Sequence, residues 1–321
     1  MDEFSRRDFI AGAAAACGAL ATNSSDAAAP LSGRQGPGVY RFRLGDYELT
    51  ALYDGTWFRK IDDKFVLNAT PAQVNEALAR AFLAPGTVPT PFTPLLVNTG
   101  KQLILIDTGT QGQLAPTTGF LASNFAAAGI DPNAIDAILI SHFHPDHING
   151  IKDKEGKRLF PNAEIFVPEP EWPYWMDDAT LSRTPADARA PFLNARRIFN
   201  DIAKELVRYT PGKELAPGIT SIAAYGHTPG HTAFAIHSKN HSLLVLSDTT
   251  NHPWLFARHP EWQGIFDVDG KQAVATRRRL LDRAVADKML VTGYHFPFPA
   301  TGHIVKAGTG YDFVPMMWQP F

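Results

Sequence analysis

One short stretch of the chain concentrates side chains that can bind a metal ion. Residues 142–147 read His-Phe-His-Pro-Asp-His and directly follow the apolar run 137–140. Three imidazoles and one carboxylate within six positions are a dense set of nitrogen and oxygen ligands for a divalent cation. So short a loop cannot surround an ion, and distant residues must complete the site. The best candidates are His231, Asp248 and His295, each of which follows or neighbours a predicted strand end.

The composition restricts the chemistry of such a site. The 321 residues include 11 His but a single Cys, Cys17. One thiol excludes an intramolecular disulfide, a CxxC redox pair and zinc sites that need two or more thiolates. With 30 Lys and Arg against 32 Asp and Glu, the net charge is −2, which predicts no nucleic-acid partner. Histidines and carboxylates must therefore hold any metal.

The first thirty residues have a different character from the rest. Ser5-Arg6-Arg7-Asp8-Phe9-Ile10 precedes the Ala/Gly-rich run 11–21, and a segment rich in small residues follows. This order is typical of an export signal, and the arginine pair resembles a twin-arginine signal. We predict cleavage after Ala29, which leaves one domain, 30–321, in the periplasm or outside the cell. The apolar run is too short for a stable membrane span, which takes about 20 residues, and lipidation of Cys17 is the alternative to its removal.

The rest of the chain contains two successive groups of strand patterns, each accompanied by helical patterns. The strand patterns cover residues 39–44, 47–53, 95–99, 102–106, 137–140, 219–224, 232–237 and 242–246. The helical patterns cover residues 71–82, 119–128, 185–208 and 270–286. Strand groups separated by helices predict an α/β sandwich of sheets covered by helices. In such a fold the loops that leave the strands can converge on one site.

These motifs together resemble the metallo-β-lactamase superfamily. The resemblance rests on the loop 142–147, then Gly230-His231, Ser247-Asp248 and His295 in that order, with Leu-Ile-Asp-Thr-Gly at 105–109 before them. Within the superfamily the sequence is most similar to the methyl parathion hydrolase group. That likeness is carried by residues 44–47, 97–100, 227–232, 302–304 and 310–315. The resemblance implies an αββα sandwich of two mixed sheets flanked by helices.

The same resemblance implies two divalent metal ions, both bridged by Asp248. The first would be held by His142, His144 and His231, and the second by Asp146, His147 and His295. Zinc is the expected metal, with manganese, iron or cobalt as alternatives that suit the same ligands. Asp107 is predicted either to hydrogen-bond a ligand histidine or to cap the turn before Gly109. His227 and His303 are not predicted to be ligands.

A pair of cations supplies a mechanism without a protein nucleophile. Two ions that share a water molecule lower its pKa, so that a bridging hydroxide is the nucleophile, with Asp146 and Asp248 as the catalytic carboxylates. The aromatic residues Trp175, Phe192, Trp254 and Phe296 are predicted to wall the substrate pocket. Leu114 stands where the parathion hydrolase group has an aromatic residue, which argues against a preference for aryl phosphotriesters. An apolar pocket favours a lactone or an aryl ester.

The sequence therefore predicts an exported, dinuclear metal-dependent hydrolase acting on a small molecule. Its expected substrate is a lactone, an aryl ester or an organophosphate triester. A glyoxalase-type thioesterase, which shares all seven ligands, is one alternative. A β-lactamase is another, although a bridging Asp248 argues against it, and a non-catalytic metal-binding module is the third. A homodimer is expected from the family likeness alone.

Overall fold

The computed structural model describes residues 31–320. Its contacts divide the chain after Gly36, and the unit Pro37–Phe321 contains the strands and helices given below. The predicted export signal, residues 1–29, lies outside the described residues. Within the described part of the chain, no helix is both long and apolar enough to cross a lipid bilayer.

The strands form two large mixed sheets and one separate hairpin. In chain order they are β1 Val39–Leu44, β2 Tyr47–Leu52, β3 Gly55–Lys60, β4 Thr87–Phe92, β5 Leu95–Asn98, β6 Leu103–Ile106, β7 Ala137–Leu139, β8 Glu164–Pro168, β9 Val207–Tyr209, β10 Glu214–Ala216, β11 Ile219–Ala223, β12 Thr232–Ser238, β13 His241–Ser247, β14 Leu290–Gly293, β15 Thr301–Ala307 and β16 Gly310–Pro315. The first sheet has the order β1-β2-β5-β6-β7-β8-β9, the second runs from β10 to β16 in sequence, and β3 pairs with β4. Both sheets are mixed, because β6 to β9 are mutually parallel and β13 is parallel to β14.

Helices cover the outer faces of the two large sheets, and short helices lie within the connections between strands. They are α1 Pro71–Ala79, α2 Leu121–Ala128, α3 Pro145–Ile148, α4 Glu171–Trp175, α5 Asp178–Arg183, α6 Ala190–Phe199 and α7 Gly270–Ala286. Short 3-10 turns occupy Pro132–Ala134, Asn149–Ile151, Ala186–Ala188 and Asp248–Thr250, and a π-helical turn occupies Pro253–Ala257. Thr70 caps α1, because its side chain accepts from Gln73 N and its own backbone N–H donates to Gln73 Oε1.

Three apolar layers hold the two large sheets and their covering helices together, and a further buried cluster joins α1, the β3–β4 hairpin and the π-helical turn. In the central layer, between the two sheets, Val97 and Leu139 pack with Phe234. A second layer joins the outer face of the first sheet to α2 and α6. The third joins the outer face of the second sheet to α7 through Leu280 and Leu281. The order helix, sheet, sheet, helix confirms the predicted αββα sandwich.

Two of the differences between the structure and the sequence patterns lie at residues 185–208 and 55–92. The helix predicted over 185–208 is instead a short turn followed by α6 and then β9, because Val207–Tyr209 pairs with β8 at the edge of the sheet. The hairpin of β3 and β4 was not predicted, since Pro89 and Pro91 argue against a strand. A two-stranded hairpin outside the large sheets tolerates both prolines. Proline has no backbone N–H to donate, but its carbonyl oxygen can still accept a hydrogen bond.

Asp54, which follows β2, joins three segments next to the ligand loops. Its buried carboxylate accepts hydrogen bonds from Thr110 N and Thr110 Oγ1, both at 2.7 Å, and from Leu121 N at 2.8 Å. Gly109 packs so closely that a Cβ there would lie 2.7 Å from Asp54 Oδ2. Burial raises the pKa of Asp54 to about 6, because the charged form loses its hydration.

The change Asp54→Asn should remove a pH dependence from the stability of the fold. Because the pKa of Asp54 is higher in the folded chain, its contribution is fullest below the ordinary value of 3.8 and is lost as the pH rises through about 6. We expect the free energy of unfolding of the wild type, relative to Asp54→Asn, to fall by about 3 kcal/mol from acid to neutral pH. Urea unfolding across that range measures it, and exposed Asp63→Asn should follow the wild type. Parallel curves for wild type and Asp54→Asn would contradict the assignment.

Candidate metal centre

The ends of three strands bring most of the metal-binding residues together. β7 runs directly into the loop 140–144 and α3, β13 ends just before Asp248, and β14 ends two residues before His295. β6 is parallel to β7, and β13 to β14, so each pair delivers its following loop to the same edge of its sheet. Side chains from both sheets can therefore meet at one centre.

The first group of ligand atoms belongs to His142, His144, His227 and Asp248, and these atoms all lie within 4.8 Å of one another. His142 Nε2 is 2.9 Å from His144 Nδ1, which is 3.0 Å from His227 Nε2. Asp248 Oδ2 lies 3.3 Å from His227 Nε2. Three imidazole nitrogens and a carboxylate oxygen at this separation match the ligand set of a divalent transition-metal ion.

The second group consists of Asp146, His147, Asp248 and His295. His147 Nε2 lies 3.2 Å from Asp248 Oδ1 and 3.4 Å from Asp146 Oδ2. His295 Nε2 lies 2.9 Å from Asp248 Oδ2 and 3.5 Å from Asp146 Oδ2. Asp248 belongs to both groups, and its two oxygens are arranged to bridge them.

The remaining ring nitrogens show that the histidines are oriented as ligands. In four of them the Nδ1 atom has an oxygen partner: Ser141 Oγ at 3.0 Å for His142, Asp107 Oδ2 at 2.8 Å for His147, Asp267 Oδ1 at 2.9 Å for His227 and Pro91 O at 2.9 Å for His295. A partner on one nitrogen directs the lone pair of the other toward a metal. His147 Nε2 and Asp248 Oδ1 are buried without a hydrogen-bond partner among the described residues, and buried polar atoms normally have one. The residues present therefore fit two metal ions.

The charges of the two groups differ. Burial, reinforced by neighbouring imidazoles, lowers the pKa of His142 and His144 well below its usual value, so both rings are neutral and can ligate. Burial opposes protonation of His147 too, but the charges of Asp248 and Asp107 hold the pKa of His147 well above its usual value. Although burial raises it, the charge of His147 lowers the pKa of Asp146 to about 2. The carboxylate-rich second group thus requires positive charge, which a cation supplies.

The first group contains His227, which was not predicted to be a ligand, and does not contain His231, which was. Both ring nitrogens of His231 are engaged by the backbone: Nδ1 is 2.9 Å from Ala224 O, and Nε2 accepts from Asp248 N at 3.1 Å. Burial lowers the pKa of His231 to about 3, so its ring is neutral. His231 directly precedes β12, and His227 lies four residues earlier in the same loop.

Asp107 lies against a ligand histidine, as one of its two predicted roles requires. Its Oδ2 accepts from Nδ1 of His147 and from Ser141 Oγ, and its Oδ1 accepts from Ser141 N, all at 2.8 Å. The backbone of Asp107 has a φ of 58°, a left-handed conformation that is uncommon for residues other than glycine. The three hydrogen bonds hold this conformation and orient His147.

Glu171, which the sequence analysis did not single out, connects the two loops of the first group. Its fully buried carboxylate accepts from Phe143 N at 3.0 Å and from Gly230 N at 2.6 Å. Trp175 Nε1 donates to the same carboxylate at 2.7 Å. Burial raises the pKa of Glu171, because these donors only partly replace water. A lone glutamate in an aromatic segment carried no signal of this role, since its partners lie far away along the chain.

The aromatic residues predicted to wall the pocket lie in different environments. Trp175 and Phe192 are buried with ring centroids 4.7 Å apart, and the Trp175 ring is 5.7 Å from that of His144. Trp254 is half-buried. Phe296 is fully buried in the third core layer.

Comparison with known proteins agrees with this centre. Residues 93–288 match the family model described as the metallo-beta-lactamase superfamily. The chain belongs to this superfamily, as its motifs predicted. It is 31% identical over 180 residues to "N-acyl homoserine lactonase AttM" of Azorhizobium caulinodans, a match that covers 52% of this chain and 61% of that protein. The chain thus spans less than two thirds of the length of that relative.

Two solved structures are similar over most of the chain. One is described as hydrolase AbOPH in the beta lactamase superfamily, with 30% identity, a TM-score of 0.82 and coverage of 89% of this chain and 100% of that one. The other is AidC, described as a dizinc quorum-quenching lactonase in complex with a product, with 30% identity, a TM-score of 0.83 and coverage of 88% and 99%. These relatives are described as a hydrolase and as lactonases, in agreement with the enzyme class predicted from the sequence.

Proposed function

We propose that the protein is a dinuclear metal-dependent hydrolase that opens lactone rings. The observation that carries the proposal is the pair of buried His and carboxylate groups that share Asp248. The lactone substrate is supported by the similarity to AttM and AidC, both described as lactonases. Zinc is proposed because AidC is described as a dizinc enzyme and because zinc accepts this set of nitrogen and oxygen ligands.

The residues of the centre suit the hydrolysis of an ester bond. Divalent cations in such a pair lower the pKa of a bound water molecule and polarise the substrate carbonyl. Asp248 faces His147 with one oxygen and His227 with the other, and so fixes the spacing of the two groups. The side chain of Asp146 is 14% exposed, so a substrate can reach its carboxylate. The oxygen of water adds to the carbonyl carbon and the ring C–O bond breaks. The carboxylate oxygen of Asp146 that does not face His147 and His295 holds the proton in transit from that water to the leaving oxygen.

Removal of metal should abolish the activity and two ions per chain should restore it. The chelator-treated full chain is expected to open N-hexanoyl homoserine lactone at a rate below about 1% of that of the loaded protein, because metal-assisted activation of water supplies several kcal/mol. Titration with zinc, followed by acid release at constant pH, should reach its plateau at two equivalents. Full activity at less than one bound ion per chain would contradict a dinuclear centre.

A panel of other substrates separates the alternatives on the same loaded protein. Aryl esters, phosphotriesters, thioesters and β-lactams are each expected to react with a kcat/KM at least about tenfold below that of the lactone, a transition-state difference of about 1.4 kcal/mol. A thioester or a β-lactam as the fastest substrate would overturn the proposal in favour of those activities. No hydrolysis of any member would favour a non-catalytic metal-binding module.

A further inference from the structure

The hairpin of β3 and β4 lies against the metal centre. Pro91 O accepts a hydrogen bond from Nδ1 of His295 at 2.9 Å, and the Phe92 ring centroid is 5.4 Å from that imidazole. Further along the hairpin, Arg59 of β3 lies opposite Val88 of β4. One end of the hairpin thus contacts His295 of the second group, and Arg59 lies further along the same hairpin.

Arg59 lies on the inner face of this hairpin. Trp57 and Arg59 are half-buried, whereas Phe58 is 57% exposed and Lys60 is exposed. This alternation is expected for a strand with one face toward the protein. The side chain of Arg59 therefore faces the protein, whereas that of the neighbouring Lys60 faces solvent.

Aromatic rings hold the guanidinium of Arg59 close to the first ligand group. Its central carbon lies 5.0 Å from the ring centroid of Trp57, 5.3 Å from that of Phe65 and 5.2 Å from that of Phe266. The Phe266 ring is in turn 5.7 Å from the ring of His227. A single aromatic ring thus separates Arg59 from a ligand of the first group, while its own hairpin contacts a ligand of the second.

The donors of Arg59 are unused within the part of the chain that the structure describes. The guanidinium makes cation–π contacts but no hydrogen bond or ion pair with any described residue. Burial lowers its pKa, and the charges of Asp146, Asp248 and Asp62 act in the opposite direction. Arginine carries five N–H donors and stays charged in proteins. A half-buried cation with free donors beside an active centre is suited to bind an oxygen acceptor of the substrate.

We propose that Arg59 is a specificity-determining residue that donates hydrogen bonds to a carbonyl oxygen outside the scissile ester bond of the substrate. The proposal rests on the lactonase function proposed above. The faces of the surrounding rings carry partial negative charge and disfavour a negatively charged substituent, so a neutral carbonyl is preferred. The preferred substrates are therefore lactones that carry an amide carbonyl next to the ring, over lactones with a plain alkyl chain.

A pair of substrates and three variants test this role. N-hexanoyl homoserine lactone carries the additional carbonyl, and γ-decalactone has the same ring size without it. On metal-loaded full chain, Arg59→Met should lower kcat/KM for the acylated lactone by about 10- to 100-fold, mainly through KM, because the hydrogen bond is present in both the ground and the transition state. The value for γ-decalactone should stay within about twofold of the wild type. Arg59→Lys should recover part of the loss. Lys60→Met, which removes a charge from the exposed face, should leave kcat/KM unchanged for both substrates.

The outcomes distinguish this inference from the proposed function. An equal loss on both lactones would assign Arg59 a structural role and overturn the inference, and so would no loss on either. Thermal unfolding of each variant shows whether the hairpin remains folded. If the wild type opens γ-decalactone at least as well as the acylated lactone, the proposed function stands and the inference fails. If the wild type opens neither lactone, the proposed function fails and the inference fails with it.

Discussion

His227→Ala is expected to bind about one metal ion per chain in place of two and to lose most of its activity. His227 supplies one of the three imidazole nitrogens of the first group, and its other nitrogen is fixed by Asp267. We expect kcat/KM for the lactone to fall by more than about 100-fold, since residues that only orient a ligand already cost 10- to 100-fold. Metal analysis after dialysis at a defined free zinc concentration gives the stoichiometry independently of activity.

The matched control for this prediction is His231, four residues further along the same loop. His231→Ala should still bind two ions per chain at saturating zinc but should unfold more easily. It leaves Ala224 O and Asp248 N buried without partners, at about 1–3 kcal/mol each. His231→Gln, which keeps an acceptor for Asp248 N, should recover part of that stability. The opposite pattern, with an ion lost from His231→Ala and both kept by His227→Ala, would restore the ligand assignment made from the sequence.

This pair of histidines shows where prediction from sequence ends. The loop 142–147 was predictable because a buried strand followed by three histidines and an aspartate is a local pattern. The loop 226–231 contains two histidines that match an ordinary Gly-His pair equally well. Which ring faces the metal centre depends on Ala224 O and on the N–H of Asp248, and the latter lies on another strand end. The pattern locates the loop, and tertiary contacts decide which of its two rings faces the first group.

The fold shows the same division between local and distant information. The helix at 270–286 was predicted with the bounds that the structure has, because its cap, spacing and length are all local. The hairpin of β3 and β4 was missed, because its prolines argue against a strand. The position of Arg59 was not predictable either, because aromatic rings from two other segments determine it. Residues of the metal centre that work through distant partners, such as Glu171, were missed for the same reason.

Glu171→Ala should lower both the stability of the fold and the affinity of the first group for metal. The carboxylate of Glu171 accepts from three buried donors, one of them the N–H between His142 and His144. Removal of the acceptor leaves these donors unpaired, which we expect to lower the free energy of unfolding by about 3 to 5 kcal/mol. Because the loop between the two histidines loses its attachment, metal affinity should fall by about 10- to 100-fold. Urea unfolding of the metal-free chain and zinc titration measure the two effects separately.

Comparison with an exposed glutamate separates this positioning role from a general loss of charge. Glu205 forms an exposed ion pair with Arg158, so Glu205→Ala should cost no more than about 1 kcal/mol and leave zinc binding unchanged. Glu171→Gln should fall between the two, because its amide keeps one acceptor oxygen but turns an NH2 group toward buried donors. Loss of stability without loss of zinc affinity would limit Glu171 to a packing role. Loss of both, graded from Gln to Ala, is the result expected if Glu171 holds the loop 142–147 against the loop 226–231.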